Sequence, residues 1–201
     1  MKANNNHSRF DALKMVFRQT GSLLVLLGLT MVIPLIVSLI YGELSSSLGF
    51  LISSVICIIT GFSLYKGFHS SVEPLHRHAL MIAALGWLSV AIMGGLPFMI
   101  TAYTTPAEIA EQFCPPGTGY ISSLYYFRNP LHSFFESMSG FTTTGLSMAV
   151  HEPSIGKGLL FYRSWTQLLG GAGFVILSLA VFGHTNGRTA YLLYGTESTG
   201  E

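Results

Sequence analysis

The chain has 201 residues, of which 50% are hydrophobic and only 9% charged, and its mean hydropathy is +0.53. Soluble domains carry about 25% charged residues, so this composition belongs to an integral membrane protein. A formal charge of +1 without a basic patch or stripe excludes a nucleic-acid footprint, and two cysteines, Cys57 and Cys114, do not make a disulfide framework.

Residues 1–20 read as a basic cytoplasmic leader. Four stretches then meet the requirement of about 20 mainly apolar residues for crossing a bilayer. The first, 21–41, has Pro34 near its middle, where a helix is expected to kink. It exceeds the core of a signal peptide, about 7–15 residues, and lacks a small-x-small cleavage site, so it reads as a retained anchor. A short turn, 42–47, leads to the second span, 48–65, which makes 21–65 an antiparallel hairpin. The third span, 79–100, ends in the breaker Gly94-Gly95-Leu96-Pro97, and the fourth, 159–182, carries Gly170, Gly171 and Gly173 at mid-depth. The tail 183–201 is polar and reads as a truncated cytoplasmic end. Trp87 and Trp165 fall inside spans and are expected to pack; Glu73 and His76-Arg77-His78 read as a solvated cluster.

Orientation follows from Lys and Arg, which are enriched on the cytoplasmic side. If all four spans cross, Lys2, Arg9, Lys14, Arg18, Lys66, Arg77 and Arg188 share one side, and Arg128, Lys157 and Arg163 the other. Both termini are therefore expected in the cytoplasm.

The connection 101–151 is far too long for an ordinary loop. Its first part, through Arg128, is rich in Pro and Gly (Pro106, Pro115, Pro116, Gly117, Gly119) and reads as an outer surface segment. Its second part has a different pattern. Asn129 is a favoured N-cap, and Pro130 suits the first helical position, where a missing N–H costs nothing. Leu131, Phe134, Phe135, Met138 and Phe141 recur at helical spacing, which predicts a helix over 130–141. At about 1.5 Å per residue it measures roughly 18 Å, around half the hydrocarbon thickness. Gly140 weakens the helix near its end, and Thr142-Thr143-Thr144-Gly145 are poor at continuing it.

A half-length helix followed by a Thr/Gly run is how a membrane protein brings bare carbonyl oxygens to an axis. Irregular backbone at membrane depth survives only where protein or a water-filled cavity satisfies it, and rings of such carbonyls make cation filters. The helix C-terminus carries about half a negative charge, which favours a cation beyond it. Gly145 supplies backbone freedom, and the Thr hydroxyls can add oxygen ligands or pin the loop. An amphipathic helix lying on the membrane surface, with a Thr-rich turn after it, is the alternative. What favours the pore loop is the order of cap, half-length helix, Thr/Gly run and returning span.

Glu136 lies four residues after His132, so the two share a helix face. It is expected to brace the loop by a hydrogen bond or to act as a mild cation-attracting charge. His151 and Glu152 sit at no recognised metal spacing, and no His-Glu-x-x-His motif is present. An intramembrane enzyme would need His132, Glu136 or His151 to be catalytic. Arg163 is expected to snorkel to the interface, with a pairing to Glu152 or a neighbouring repeat as the alternative. Gly170, Gly171 and Gly173 fit close helix packing or a gate that bends beneath the loop.

The string Ser133-Phe-Phe-Glu-Ser-Met-Ser-Gly-Phe-Thr-Thr-Thr-Gly145 is preceded by Gly95-Leu-Pro-Phe98. It is followed by Phe161-Tyr-Arg-Ser-Trp-Thr-Gln-Leu-Leu-Gly-Gly-Ala-Gly173. Together these resemble the Trk/Ktr/HKT-type potassium-uptake family, and within it the Trk membrane subunit. The resemblance implies an all-α membrane fold in which two leading helices precede helix–pore loop–helix repeats, four in one polypeptide. Spans 21–41 and 48–65 then correspond to the leading pair. Segments 79–100, 130–141 and 159–182 correspond to the outer, pore and inner helices of the first repeat. Thr142 to Gly145 fall on the filter strand, supported by Asn129, Pro130, Glu136 and Gly140, and the backbone oxygens of Thr143, Thr144 and Gly145 would hold potassium. The resemblance further implies a location in the cytoplasmic membrane, no enzymatic activity, no covalently bound cofactor and a cytosolic nucleotide-binding regulatory subunit as partner. The chain contains one repeat, so alone it is not expected to conduct; truncation of a longer protein is favoured over assembly from several copies. A non-conducting truncated paralogue that binds an intact transporter, and a sodium/potassium-permeable relative, are the alternatives.

Overall fold

The computed structural model describes residues 3–68, 76–114, 117 and 119–182. The expectations for Lys2, Glu73, Pro115, Pro116 and the tail 183–201 lie outside them. The described residues form helices joined by turns, without a strand among them, as expected for an all-α integral membrane protein. Among the described residues, three helical stretches are long and apolar enough to cross a membrane: Leu13–Ile40, Leu44–Gly67 and Met81–Thr104.

The first stretch comprises α1 (Ala3–Thr30) and α2 (Val32–Ile40), which meet at Met31. Pro34 has no N–H to give the Thr30 carbonyl, so the ladder loses a rung one turn before the proline. The bonds Met31 N–H to Leu27 O and Leu35 N–H to Met31 O, both 3.2 Å, carry the chain across the break. The basic leader is not a separate element, because α1 already begins at Ala3. Helix α3 (Leu44–Gly67) returns antiparallel and crosses α1 at two glycines. A Cβ on Gly21 would lie 2.6 Å from the Gly61 carbonyl oxygen, and one on Gly61 equally close to that of Gly21. Ser54 Oγ donates to Gly28 O at 2.7 Å in the same seam. With no hydrophobic drive between helices in lipid, backbone approach through small residues is what associates them.

The third stretch does not stop at its Gly-Gly-Leu-Pro breaker as the sequence suggested. Helix α4 (His76–Gly94) bends at Gly95 and continues as α5 (Leu96–Thr104). Pro97 occupies the first turn of α5, where a missing N–H is tolerated. The Gly95 N–H bridges the bend by donating to Ala91 O and Ile92 O at 3.2 and 3.3 Å. The bend opens a hollow that the rest of the chain fills.

A short helix α6 (Ala107–Gln112) and two 3-10 turns, Ser123–Arg128 and Glu152–Ile155, lie at the Thr104 end of α5. Ser122 Oγ donates to Ser154 O at 2.5 Å and the His151 N–H to Ser123 Oγ at 2.8 Å, tying the two turns together. Helix α7 (Pro130–Phe141) and helix α8 (Lys157–Phe182) complete the fold. At 26 residues α8 is about 39 Å long, enough to cross.

The core is aromatic where the leading hairpin, the bent helix and α8 meet. Tyr162 is fully buried, with its ring 5.2 Å from Phe50 and 5.3 Å from Phe98, and Phe98 is 5.1 Å from Phe127. Each such pair contributes about 0.5–1.5 kcal/mol beyond area burial. Trp87 and Trp165 pack against this core, as their positions within spans suggested. Cys57 is buried and Cys114 half-buried, and both are free thiols.

The Gly21–Gly61 crossing generates a prediction. Gly61→Leu should destabilise the protein in detergent by about 1–3 kcal/mol, the usual cost of overpacking. Gly67→Leu, where a Cβ meets nothing within 4 Å, should leave the unfolding midpoint unchanged.

Candidate pore loop

The chain sets α7 by fixing both of its ends. At the start, Asn129 Oδ1 accepts the Leu131 N–H at 3.0 Å while Pro130 fills the first helical position. Arg128 Nε donates to Ala102 O at 3.0 Å, and Tyr103 Oη to Arg128 O at 3.1 Å, so α7 starts beside the Thr104 end of α5. At the other end α7 lies in the hollow of the α4–α5 bend. A Cβ on Gly94 would come within 2.6 Å of both Ser137 Oγ and the Phe141 ring, and one on Gly95 within 2.9 Å of Ser133 O.

Helix α8 closes the opposite side. A Cβ on Gly140 would stand 2.3 Å from Thr166 Oγ1, and one on Gly170 only 2.0 Å from the Phe141 carbonyl oxygen. Gly170 lies about 20 Å along α8 from Lys157 at ~1.5 Å per residue. The C-terminus of α7 therefore stops near the midpoint of its neighbour. Gly171 approaches only Thr143 Cγ2, at 3.8 Å, and Gly173 meets nothing within 4 Å. Of the three glycines, Gly170 is the one that packing demands.

Beyond Phe141 the helix ends and the backbone turns. The amide of Thr142 donates to Met138 O (2.9 Å), that of Thr143 to Gly140 O (3.0 Å), and those of Thr144 and Gly145 to Ser139 O (3.0 and 3.4 Å). Thr142 Oγ1 also donates to Met138 O at 2.7 Å and lies 2.8 Å from Thr144 Oγ1. Every N–H of the run thus points back into the last turn of α7. None of the carbonyl oxygens of 142–145 accepts a hydrogen bond among the described residues, and all four residues are exposed. Two left-handed residues produce this shape: Gly145 at φ 78° and Thr143 at φ 57°, the latter the one non-glycine with positive φ among the described residues. A β-branched residue there costs about 1–3 kcal/mol and persists only when its surroundings over-determine it.

The surroundings do so through Glu136. Its carboxylate, 1% exposed, accepts Ser147 Oγ at 3.0 and 3.1 Å and the Met148 N–H at 2.7 Å, which holds the segment leaving the loop. Ser139 Oγ donates to Leu146 O at 2.6 Å one turn further on. Arg163 Nε meets Glu136 Oε1 at 2.5 Å and its Nη1 meets Glu152 Oε1 at 2.8 Å. The side chain of Arg163 is 11% exposed. It does not snorkel, because two carboxylates within bonding distance hold it inside the protein.

His132 and His151 each have a neighbour of their own. His132 Nδ1 lies 3.0 Å from Tyr126 O, and His151 stacks on Tyr120 with ring centroids 3.6 Å apart. No group of three His, Cys, Asp or Glu residues able to hold a metal occurs among the described residues.

Sequence reasoning overlooked three contributors. Tyr162 Oη donates to Gly94 O at 3.0 Å, linking α8 to the bend. Thr166 packs on Gly140. Glu43, in the turn of the leading hairpin, accepts the N–H groups of Lys157 and Gly158 at 2.5 and 3.0 Å. A solitary acid just before the apolar run of α3 was the only signal for Glu43, and it pointed to α3 rather than to α8.

The sequence pattern that describes the TrkH cation transport proteins matches residues 46–201. The Trk system potassium uptake protein TrkH of Halomonas elongata is 32% identical over 190 residues, 94% of this chain and 34% of that protein. An uncharacterized cation transporter of Methanocaldococcus jannaschii is 31% identical over 181 residues, 90% of this chain and 33% of its own length. The Trk system potassium uptake protein TrkG of Escherichia coli K12 is 26% identical over 178 residues, 89% of this chain and 31% of the relative. The chain thus spans about a third of the length of these curated relatives.

Two predictions concern this site. Arg163→Ala leaves Glu136 buried without its ion pair and should cost about 3–5 kcal/mol of stability. Arg163→Met combined with Glu136→Gln should recover much of that loss in a double-mutant unfolding cycle. Separately, Gly170→Ala should lower the thermal midpoint in detergent and Gly173→Ala should not, since only the former drives a methyl into the Phe141 carbonyl.

Proposed function

The chain belongs to the TrkH family of cation transport proteins, and on that premise we propose that it supplies one pore loop to a potassium-uptake pathway across the cytoplasmic membrane. The observation that carries this reading is the polarity of the loop. The amides of Thr142 to Gly145 are all spent on the last turn of α7, which leaves the carbonyls to the open side. A hard alkali cation prefers oxygen ligands, and backbone oxygens supply them without a fixed charge that would hold the ion too tightly. The end of α7 adds about half a negative charge on the same side. Glu136 adds little, because Arg163 neutralises it from behind.

In this reading α7 enters from the outer face and stops at mid-membrane, and both chain termini are cytoplasmic. One loop forms one wall of a filter; the other walls come from further repeats or from other copies of the chain. The unfilled space at Gly171 and Gly173 fits a gate beneath the loop, and a cytosolic nucleotide-binding regulatory subunit would act at the inner face. Potassium is preferred as the ion because two of the relatives above are named potassium uptake proteins. A second reading is a non-conducting interaction partner of an intact transporter.

The test uses the chromosomal gene in a host strain deprived of its other potassium-uptake systems. Gly145→Val places a β-branched side chain at φ 78° and should abolish growth on low potassium while membrane abundance persists. Unchanged uptake in that variant would contradict the filter assignment. Absence of any uptake dependent on the unsubstituted gene, with co-purification of a second transporter, would favour the interaction partner.

A further inference from the structure

The leading hairpin contributes no residue to the loop 142–145, yet its turn makes a charged contact with α8 across 114 residues of sequence. Glu43 is held firmly. Its N–H donates to Ser38 O at 2.9 Å, its carbonyl accepts the Ser47 N–H and Ser47 Oγ, each at 2.9 Å, and its carboxylate accepts Ser46 Oγ at 3.0 Å. The same carboxylate accepts the amides of Lys157 and Gly158, two of the donors that a helix start leaves without partners. The charge also complements the positive end of the α8 dipole.

The chain around this contact is built to admit it. Gly156 lies at φ 90°, and a Cβ there would come 2.9 Å from Glu43 Oε2. A Cβ on Gly158 would come 2.1 Å from Ser38 Oγ, and that hydroxyl is itself tied to Pro34 O at 2.9 Å. Two glycines thus let the first turn of α8 sit directly on the hairpin.

Further along, α8 meets the pore loop at two levels, Arg163 against Glu136 and Gly170 against the Phe141 carbonyl. Those levels lie about 9 and 20 Å from Lys157 along a rigid helix. Neither has slack toward α7, since Gly170 already touches backbone without a side chain between. The Glu43 cap fixes the axial level of α8 at its first turn, ahead of the contacts that Tyr162 makes with Gly94 and Arg163 with Glu136.

We propose that the leading hairpin is a strut for the filter, with Glu43 as a positioning residue: its carboxylate sets the axial level of α8, and α8 sets the geometry of Thr142 to Gly145. This inference rests on the pore-loop reading above. In the chromosomal protein, Glu43→Ala should keep membrane abundance but lower the preference for potassium over sodium in uptake by about tenfold, the scale of one charge-assisted hydrogen bond. A cross-link should replace the cap. Ser38 Cβ and the Cβ position of Gly158 are 3.1 Å apart, so a shift of a few tenths of an ångström brings them to the roughly 3.5–4.5 Å of a disulfide. Adding Ser38→Cys and Gly158→Cys to Glu43→Ala should restore the preference under oxidising conditions and lose it again on reduction. Wild-type preference in Glu43→Ala at normal abundance overturns the strut. Where Glu43→Ala fails to insert, Glu43→Gln, which turns one of the two acceptor oxygens into a donor facing a backbone N–H, decides in the same way. Absence of potassium uptake by the unsubstituted protein overturns the pore-loop reading itself, whereas an unmoved preference in the Glu43 variants overturns this inference alone.

Discussion

A helix that ends in the middle of a packed bundle leaves backbone carbonyls without partners, and here the contact between the Phe141 carbonyl and Gly170 determines where that end can lie. No residue with a side chain fits at that point, since a Cβ would stand 2.0 Å from the oxygen. The same logic repeats at Gly140 against Thr166 and at Gly94 against Ser137. Helix α7 is thus gripped by α4 and α8 at backbone distance along its last turns. A longer helix would have to displace one of them. The turn at Thr142 follows from the grip as much as from local propensity.

The second constraint is electrostatic. Glu136 and Arg163 are nearly removed from solvent, and burying either alone would be expensive. Together with Glu152, Ser147 and the Met148 amide they form a closed set of partners behind the loop. A buried ion pair is weak evidence for stability, but it specifies geometry: Ser147 and the Met148 amide, in the segment leaving the loop, both meet the carboxylate. That explains how Thr143 is kept in a left-handed conformation that a β-branched residue avoids. The cost is met by interactions that do not face the open side, so the carbonyls stay available.

Local chemistry made part of this visible before any coordinates. Asn129 and Pro130 announce a helix start because capping and the missing proline N–H act over a few residues, and α7 begins there. Pro34 announced its bend for the same reason, one turn upstream. Gly95 and Pro97 were misread as an end, because the sequence does not show that α5 needs no donor in its first turn and that α7 fills the bend. Arg163 was assigned to the interface because snorkelling is a property of one side chain; its pairing with Glu152, 11 residues away, was the alternative, whereas Glu136, 27 residues away, was not foreseen as its partner. The Glu43 cap spans 114 residues, and its one local signature, a solitary acid, pointed to α3 instead. What could not be read is uniformly long-range: which partner a polar group finds depends on the packing of helices, and glycine spacing alone does not say which glycine is pressed against backbone.

The central claim is that the carbonyls of Thr142 to Gly145 face a site where a dehydrated alkali ion rests. The most direct measurement is anomalous diffraction from crystals of the protein in rubidium, with the pathway completed by whatever repeats or copies accompany this chain. The account predicts an ordered rubidium peak at coordination distance from those carbonyls, lost when sodium replaces rubidium. Density that places the four residues against bulk solvent, or rubidium bound elsewhere with none at the loop, would contradict it.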